Sequence, residues 1–224
     1  MKCMAAARLS SSEIRADVWL DVRRSLWLAS VGVLVVSDIH WGYVASHRSR
    51  GNLLPKWGDT EIGDRLQSLI KDYNPTEMIW LGDSIHALPG RESAERFIKE
   101  NAATPISVVG GNHDSRWKRA VIPTLERGGY FLHHGHREID TPRGLVEIIG
   151  HYHPAVSWDD GAGGRLKIPA LVDSPRRIIL PAFSPWSAGT PWNGNLRADE
   201  RLWGISKRRI FQIPLGAERN RSGE

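Results

Sequence analysis

Cysteine is nearly absent from this chain of 224 residues; Cys3 stands alone. One thiol cannot close an internal disulfide, and it lies far from every motif described below. Neither a disulfide framework nor a thiolate-held zinc site is therefore available. A reducing, cytoplasmic setting fits that composition. Long apolar runs are missing too. None approaches the roughly 20 residues that a membrane-spanning helix needs. Near the amino terminus, Arg8 interrupts the short patch Ala5 to Ala7 before a signal-peptide core can form. No internal repeat, low-complexity tract or Pro/Gly/Ser-rich linker divides the chain. A single domain over residues 17–214 is expected, with disorder confined to residues 1–16 and a flexible tail over 215–224.

What is present points to an ordinary globular core, since 41% of residues are hydrophobic and 25% charged. The formal net charge is +5, which makes a polyanionic partner physically reasonable. Basic residues gather at Arg48/Arg50, Arg116/Lys118/Arg119, Arg176/Arg177 and Lys207/Arg208/Arg209. Ten tryptophans are many for this length. Trp41 and Trp57 flank one loop, and Trp186 and Trp192 lie in another. Base stacking and core packing are both open to them.

Five apolar runs have the length and β-branched content of buried strands: Val33 to Val36, Met78 to Leu81, Ile106 to Val109, Tyr130 to Leu132 and Val146 to Ile149. Val18 to Leu20 and Leu26 to Leu28 read as a hairpin leading into the first of them. A long loop from Trp41 to Gly58 follows. Next come Ile62, Leu66, Leu69, Ile70 and Tyr73 at helical spacing, with Asp59 as expected N-cap and Asn74-Pro75 as the stop. Ala94, Phe97 and Ile98 suggest a second helix. The second half reads as short β runs at Leu145 to Ile149, Leu166 to Ile168, Ile178 to Leu180 and Ile210 to Ile213. An α/β first half and a β-rich second half predict two packed sheets flanked by helices.

Each of the five runs ends in metal-binding chemistry: Asp38-Ile39-His40, Gly82-Asp83, Gly111-Asn112-His113-Asp114, His134-Gly135, and Gly150-His151-Tyr152-His153. Residues two apart in a strand point the same way. Asp38 and His40 can therefore reach one ion, and His151 and His153 can face one pocket. Carboxylates and imidazoles without thiolates suit divalent ions of intermediate hardness such as Mn, Fe or Zn. Asp83, after a turn-permitting glycine, is placed to bridge two ions. Asn112 can offer a carbonyl oxygen while His113 points at a reacting phosphate, and Asp114 can orient that imidazole. Singly such motifs are weak; five in order at strand ends are not.

With these residues the chain resembles the calcineurin-like metallophosphoesterase superfamily, over roughly Val33 to Phe183. The resemblance implies an α/β fold with a four-layer α/β/β/α sandwich, two divalent metal ions (manganese first, iron or zinc next) and phosphodiester or phosphomonoester hydrolysis. It would give Asp38, His40, Asp83 and His153 to the first metal, and Asp83, Asn112, His134 and His151 to the second. His134 is preferred to His133 because Gly135-His136 follows it. Ser49-Arg50-Gly51, Leu53-Leu54-Pro55, Gly82 to His86 and Leu180 to Phe183 resemble the DNA-ligase-associated subgroup. That narrower likeness implies phosphate contacts for Arg48 and Arg50 and DNA-repair partners; the basic clusters favour a DNA, RNA or nucleotide substrate. The stretch Ser184 to Trp192 departs from that subgroup's Gly-rich ending. The implied reaction is in-line attack of a metal-bridging hydroxide, with His113 protonating the leaving oxygen. A pyrophosphatase or phosphoprotein phosphatase using the same residues, and a metal-poor binding module, are the alternatives.

Overall fold

A computed structural model describes residues 10–55, 57–119, 121–159 and 162–214. The first sheet has six strands in chain order: β1 (Ser11–Arg15), β2 (Val18–Asp21), β3 (Ser25–Leu28), β4 (Val33–Val36), β5 (Glu77–Leu81) and β6 (Ile106–Val109). β1 to β4 form an antiparallel meander, and β4, β5 and β6 run parallel. Parallel neighbours need a crossover. Helices α1 (Tyr43–Ser49) and α2 (Gly58–Tyr73) supply the first, and α3 (Gly90–Glu100) the second.

The second sheet has nine strands. They are β7 (Leu125–Arg127), β8 (Tyr130–Leu132), β9 (Val146–Ile149), β10 (Pro154–Asp159), β11 (Arg165–Ser174), β12 (Arg177–Ile179), β13 (Thr190–Pro191), β14 (Arg201–Ile205) and β15 (Ile210–Ile213). The main path runs β13-β10-β11-β12-β9-β8-β7, with β14 and β15 branching from β11. β8, β9 and β12 are parallel.

Strand alternation sorts the side chains of the first sheet into two cores. Leu34, Val36, Met78, Trp80 and Val108 pack against Ile62, Leu66 and Leu69 of α2 and Ala94 and Phe97 of α3. Val33, Val35, Ile79, Leu81 and Val109 face the other way, onto Leu132, Ile148, Leu171 and Ile178 of the second sheet. The far face of the second sheet carries Val156, Val172 and Leu202, partly covered by Trp192 and Leu196 around a 3-10 turn. The helical layer thus lies on the first sheet, and among the described residues the second sheet is backed by loop and 3-10 structure. No helix among these residues is long and apolar enough to cross a membrane.

Three local expectations are corrected. Ser11–Arg15, assigned to a disordered end, pairs as β1; the rest of that end, residues 1–9, and the tail 215–224 lie outside the described residues. The loop from Trp41 to Gly58 contains α1, whose two turns are too short to show helical periodicity. Asp59 does not cap α2: Trp57 holds that position, and Asp59 Oδ1 accepts the Gly42 N–H at 3.1 Å instead.

Candidate metal centre

The parallel strands end together. Val36 pairs with Trp80 and Leu81 with Val109, while across the sandwich Leu132 pairs with Ile148 and Ile149 with Ile179. Loops leaving the carboxyl ends of parallel strands therefore meet at one edge. Backbone hydrogen bonds lace them beyond the strands: Asp38 N–H to Gly82 C=O, His40 N–H to Asp83 C=O, Ser184 N–H to Asp38 C=O and Gly150 N–H to His134 C=O.

Side-chain convergence here does not come from strand alternation. Asp38 (φ 55°), His40 (54°), Asp83 (48°), His151 (66°) and His153 (47°) all adopt left-handed backbone. Each such residue costs about 1 kcal/mol or more, and strain of this kind gathers at functional sites. Two glycines make the close approaches possible. A Cβ on Gly82 (φ 80°) would lie 2.2 Å from His134 Nδ1, and one on Gly111 would lie 2.2 Å from the Asp83 backbone nitrogen.

Two groups result, each with ligand atoms within 4.8 Å of one another: Asp38, His40 and His153, and Asp83, His134 and His151. They abut through His134, whose Nε2 lies 3.4 Å from Asp83 Oδ2 and 3.9 Å from Asp38 Oδ1. His134 Nδ1–H donates to the Leu81 carbonyl at 3.1 Å, which turns Nε2 toward the carboxylates. His153 Nδ1 bonds Ser187 Oγ at 2.6 Å while its Nε2 stands 2.9 Å from Asp38 Oδ1. Asp38 Oδ2 takes the Ser37 hydroxyl at 2.6 Å and the His151 N–H at 3.0 Å. Among the described residues, Asp38 Oδ1, His40 Nδ1, His134 Nε2 and His153 Nε2 are buried without a well-formed hydrogen bond. Buried unpaired polar atoms each cost about 1–3 kcal/mol. Oxygen and imidazole donors left free in this way fit divalent cations.

Electrostatics agree with that fit. Burial first, then the neighbouring imidazoles, hold His40 down to about 4, so it stays neutral and able to ligate. Burial opposes a proton on His134 as well, but Asp83 and Asp38 outweigh it and lift the imidazole to about 9. Asp83 lies well below the usual carboxylate range: His134, the His113 N–H and His40 overcome its burial. Asp38 is lowered as well, with His153, His134 and His40 acting against desolvation.

A third group, His40, His86 and His113, adjoins these. The His113 ring is stacked on His86 (5.2 Å, 23°) and edge-on to His40 (5.2 Å, 87°), with Nδ1 3.4 Å from the His86 carbonyl. The expected orienter Asp114 does not touch that ring. Its two oxygens accept the N–H groups of Ile85 (3.0 Å) and Gly111 (2.9 Å), bracing the two loops against each other. The 3-10 turn His113–Arg116 buries Asp114 and leaves Asn112 and His113 on the exposed rim. Arg48 and Arg50 are exposed at the end of α1; Arg48 donates to the Leu54 carbonyl at 2.7 Å, while burial, then His113, His47 and Arg50, lower the His86 pKa to about 4. His133 turns away to a buried pair with Glu147. His86 and Ser187 stand at the site without having been among the expected site residues. His86 had a signal, three residues after Asp83; Ser187 reaches His153 across 34 positions and had none.

The sequence model of the calcineurin-like phosphoesterase matches residues 32–209. No curated protein matches the chain by sequence. In fold the chain is similar to the crystal structure of the nuclease MPE of Pseudomonas putida, at a TM-score of 0.69 and 20% identity, covering 91% of this chain and 98% of that one. Together with the strand-end clusters of aspartate and histidine, the family match over most of its length establishes that this chain belongs to the calcineurin-like phosphoesterases, a family of metal-dependent phosphoester hydrolases.

Proposed function

We propose that this enzyme is a two-metal phosphodiesterase acting on nucleic acid or nucleotides. The observation that carries the reading is the pair of abutting groups, joined at His134, in which four buried ligand atoms make no well-formed hydrogen bond among the described residues. Asp38, His40 and His153 would hold one divalent ion and His134 and His151 the other, with Asp83 between them and Asn112 completing the second set; manganese is the first choice. Two such ions, when bound, supply Lewis acidity to the phosphoryl oxygens and lower the pKa of the attacking water.

The chain's own residues do the rest. His113 gives its Nδ1–H to the His86 carbonyl, which directs Nε2 inward, 3.9 Å from Asp83 Oδ2. Protonated at Nε2, it donates to the leaving oxygen. Asp114 keeps the Gly111 turn and the Ile85 loop in register, so it acts on His113 through the backbone. Arg48 and Arg50 receive phosphate oxygens on the exposed rim. A nucleic acid substrate is favoured by the net charge of +5, by Tyr43 of α1 stacked on Trp186 with Trp57 tilted against the same ring, and by the nuclease named among structures of this fold.

The test compares bis-p-nitrophenyl phosphate, p-nitrophenyl phosphate and a short single-stranded DNA with Mn²⁺ and with chelator. Diester hydrolysis should exceed monoester hydrolysis and vanish with chelator. His113→Ala should lose about 100- to 10,000-fold on DNA and less on the nitrophenyl esters, whose leaving groups need no proton. A monoester preference, or an unchanged His113→Ala rate on DNA, would refute the assignment.

A further inference from the structure

His153 has a second neighbour besides the first ligand group: it forms part of the wall of a cavity of about 380 Å³. That volume is at the small end of ligand pockets, roughly 300–1,000 Å³, and suits one nucleotide unit. Among the described residues, the charged side chains on its wall are Arg24 and Lys167, and no carboxylate lines it. Pro154, Pro169 and Pro185 supply a rigid apolar side. Ser187 lines it too, and the same Ser187 hydroxyl bonds His153 Nδ1, so the cavity is continuous with the metal centre.

Arg24 is an unusual residue to place there. It sits at φ 67° in the turn between β2 and β3, and its Nη1 donates to the carbonyls of Ala182 (3.2 Å) and Ser184 (2.7 Å). Among the described residues it has no ion pair. Glu61, the acid whose field it feels, is already 3.6 Å from Arg65. A partly buried cation without a counter-charge is costly, and burial lowers its pKa to about 10. Lys167, on β11, anchors its ammonium on the Gly189 carbonyl at 3.2 Å, at the cavity's exposed side. Two cations facing one nucleotide-sized space are built for an anion.

We propose that this cavity is the subsite for the nucleotide adjoining the scissile phosphodiester, its phosphate held between Arg24 and Lys167 and its sugar or base against the proline wall. The assignment rests on the phosphodiesterase reading above. Steady-state kinetics on a short single-stranded DNA and on bis-p-nitrophenyl phosphate, which has no neighbouring phosphate, separate the two. Lys167→Glu should raise the KM for DNA about tenfold and flatten its salt dependence by about one charge. Its kcat/KM for the reporter should stay within about twofold, and Lys167→Arg should restore the DNA KM. Arg24→Lys should act in the same direction; if that variant does not fold, the Lys167 series decides. An unchanged DNA KM in Lys167→Glu, or a parallel loss on both substrates, overturns the subsite while leaving the phosphodiesterase reading intact. A wild-type enzyme inactive on both substrates overturns that reading and the subsite with it.

Discussion

His133 and His134 are neighbours in sequence that face opposite ways where β8 ends, and their substitutions should separate structure from chemistry. His134 Nε2 points at Asp83 and Asp38, whereas His133 Nε2 sits 2.8 Å from Glu147 Oε1 in a buried pair that Arg177 also joins. His134→Ala should lose at least about 100-fold in Mn²⁺-dependent turnover, with metal affinity falling in step. His133→Ala should keep its activity and lose about 1–3 kcal/mol of stability, because Glu147 is left half-satisfied. Turnover and urea unfolding on both variants check this; the reverse pattern would mean that the wrong histidine has been placed in the centre. The preference for His134 rested on Gly135-His136 behind it, and it is His134 that the fold sets beside Asp83 and Asp38. The role of Asp114 was not, since adjacency to His113 suggested contact, and only the 3-10 turn reveals that its oxygens reach Ile85 and Gly111.

At the scale of elements, the strands that carry the site were readable because parallel strands buried on both faces are continuous apolar runs. The elements that escaped notice lack that signal. β10 begins with Pro154, β13 is Thr190–Pro191, and α1 buries little beyond Val44 and Ser46. Equally invisible was the manner in which Asp38/His40 and His151/His153 converge, through left-handed loops just past the strands. Such loops depend on glycine where another chain segment passes close. Gly82→Ala places a methyl 2.2 Å from His134 Nδ1 at φ 80°, whereas Gly51 has a similar φ of 89° and nothing within 4 Å. The two substitutions share a backbone penalty of about 1 kcal/mol. Only Gly82→Ala should also displace His134, so metal-dependent activity should collapse there and survive in Gly51→Ala. Equal activity in the two would show that the Gly82 turn does not position the imidazole.

For the whole molecule, the sandwich acts as a clamp. One core fixes the helices on the first sheet, and a second joins the two sheets, so loops from both halves of the chain meet at a rigid edge. The buried Asp173, paired with Arg15 of β1 and Arg201 of β14, ties the first strand to the second sheet. A two-sheet α/β architecture could be read from the change in pattern between the halves. The thin cover on the second sheet could not, because Trp192 and Leu196 show no periodicity. The edge so formed carries a linked proton. With His134 raised from 6.5 to about 9, its protonation contributes stability to the metal-free protein that is fully present below pH 6.5 and lost as pH rises through 9. A metal must displace that proton. Calorimetric titration of metal-free protein with Mn²⁺ at pH 7.5, in two buffers of different ionisation enthalpy, therefore tests the two-metal centre most directly. Two ions should bind per chain with release of roughly one proton, and His134→Ala should abolish both the second ion and the release. Binding of one ion or none by the wild-type chain, or two ions with no proton released, would contradict it.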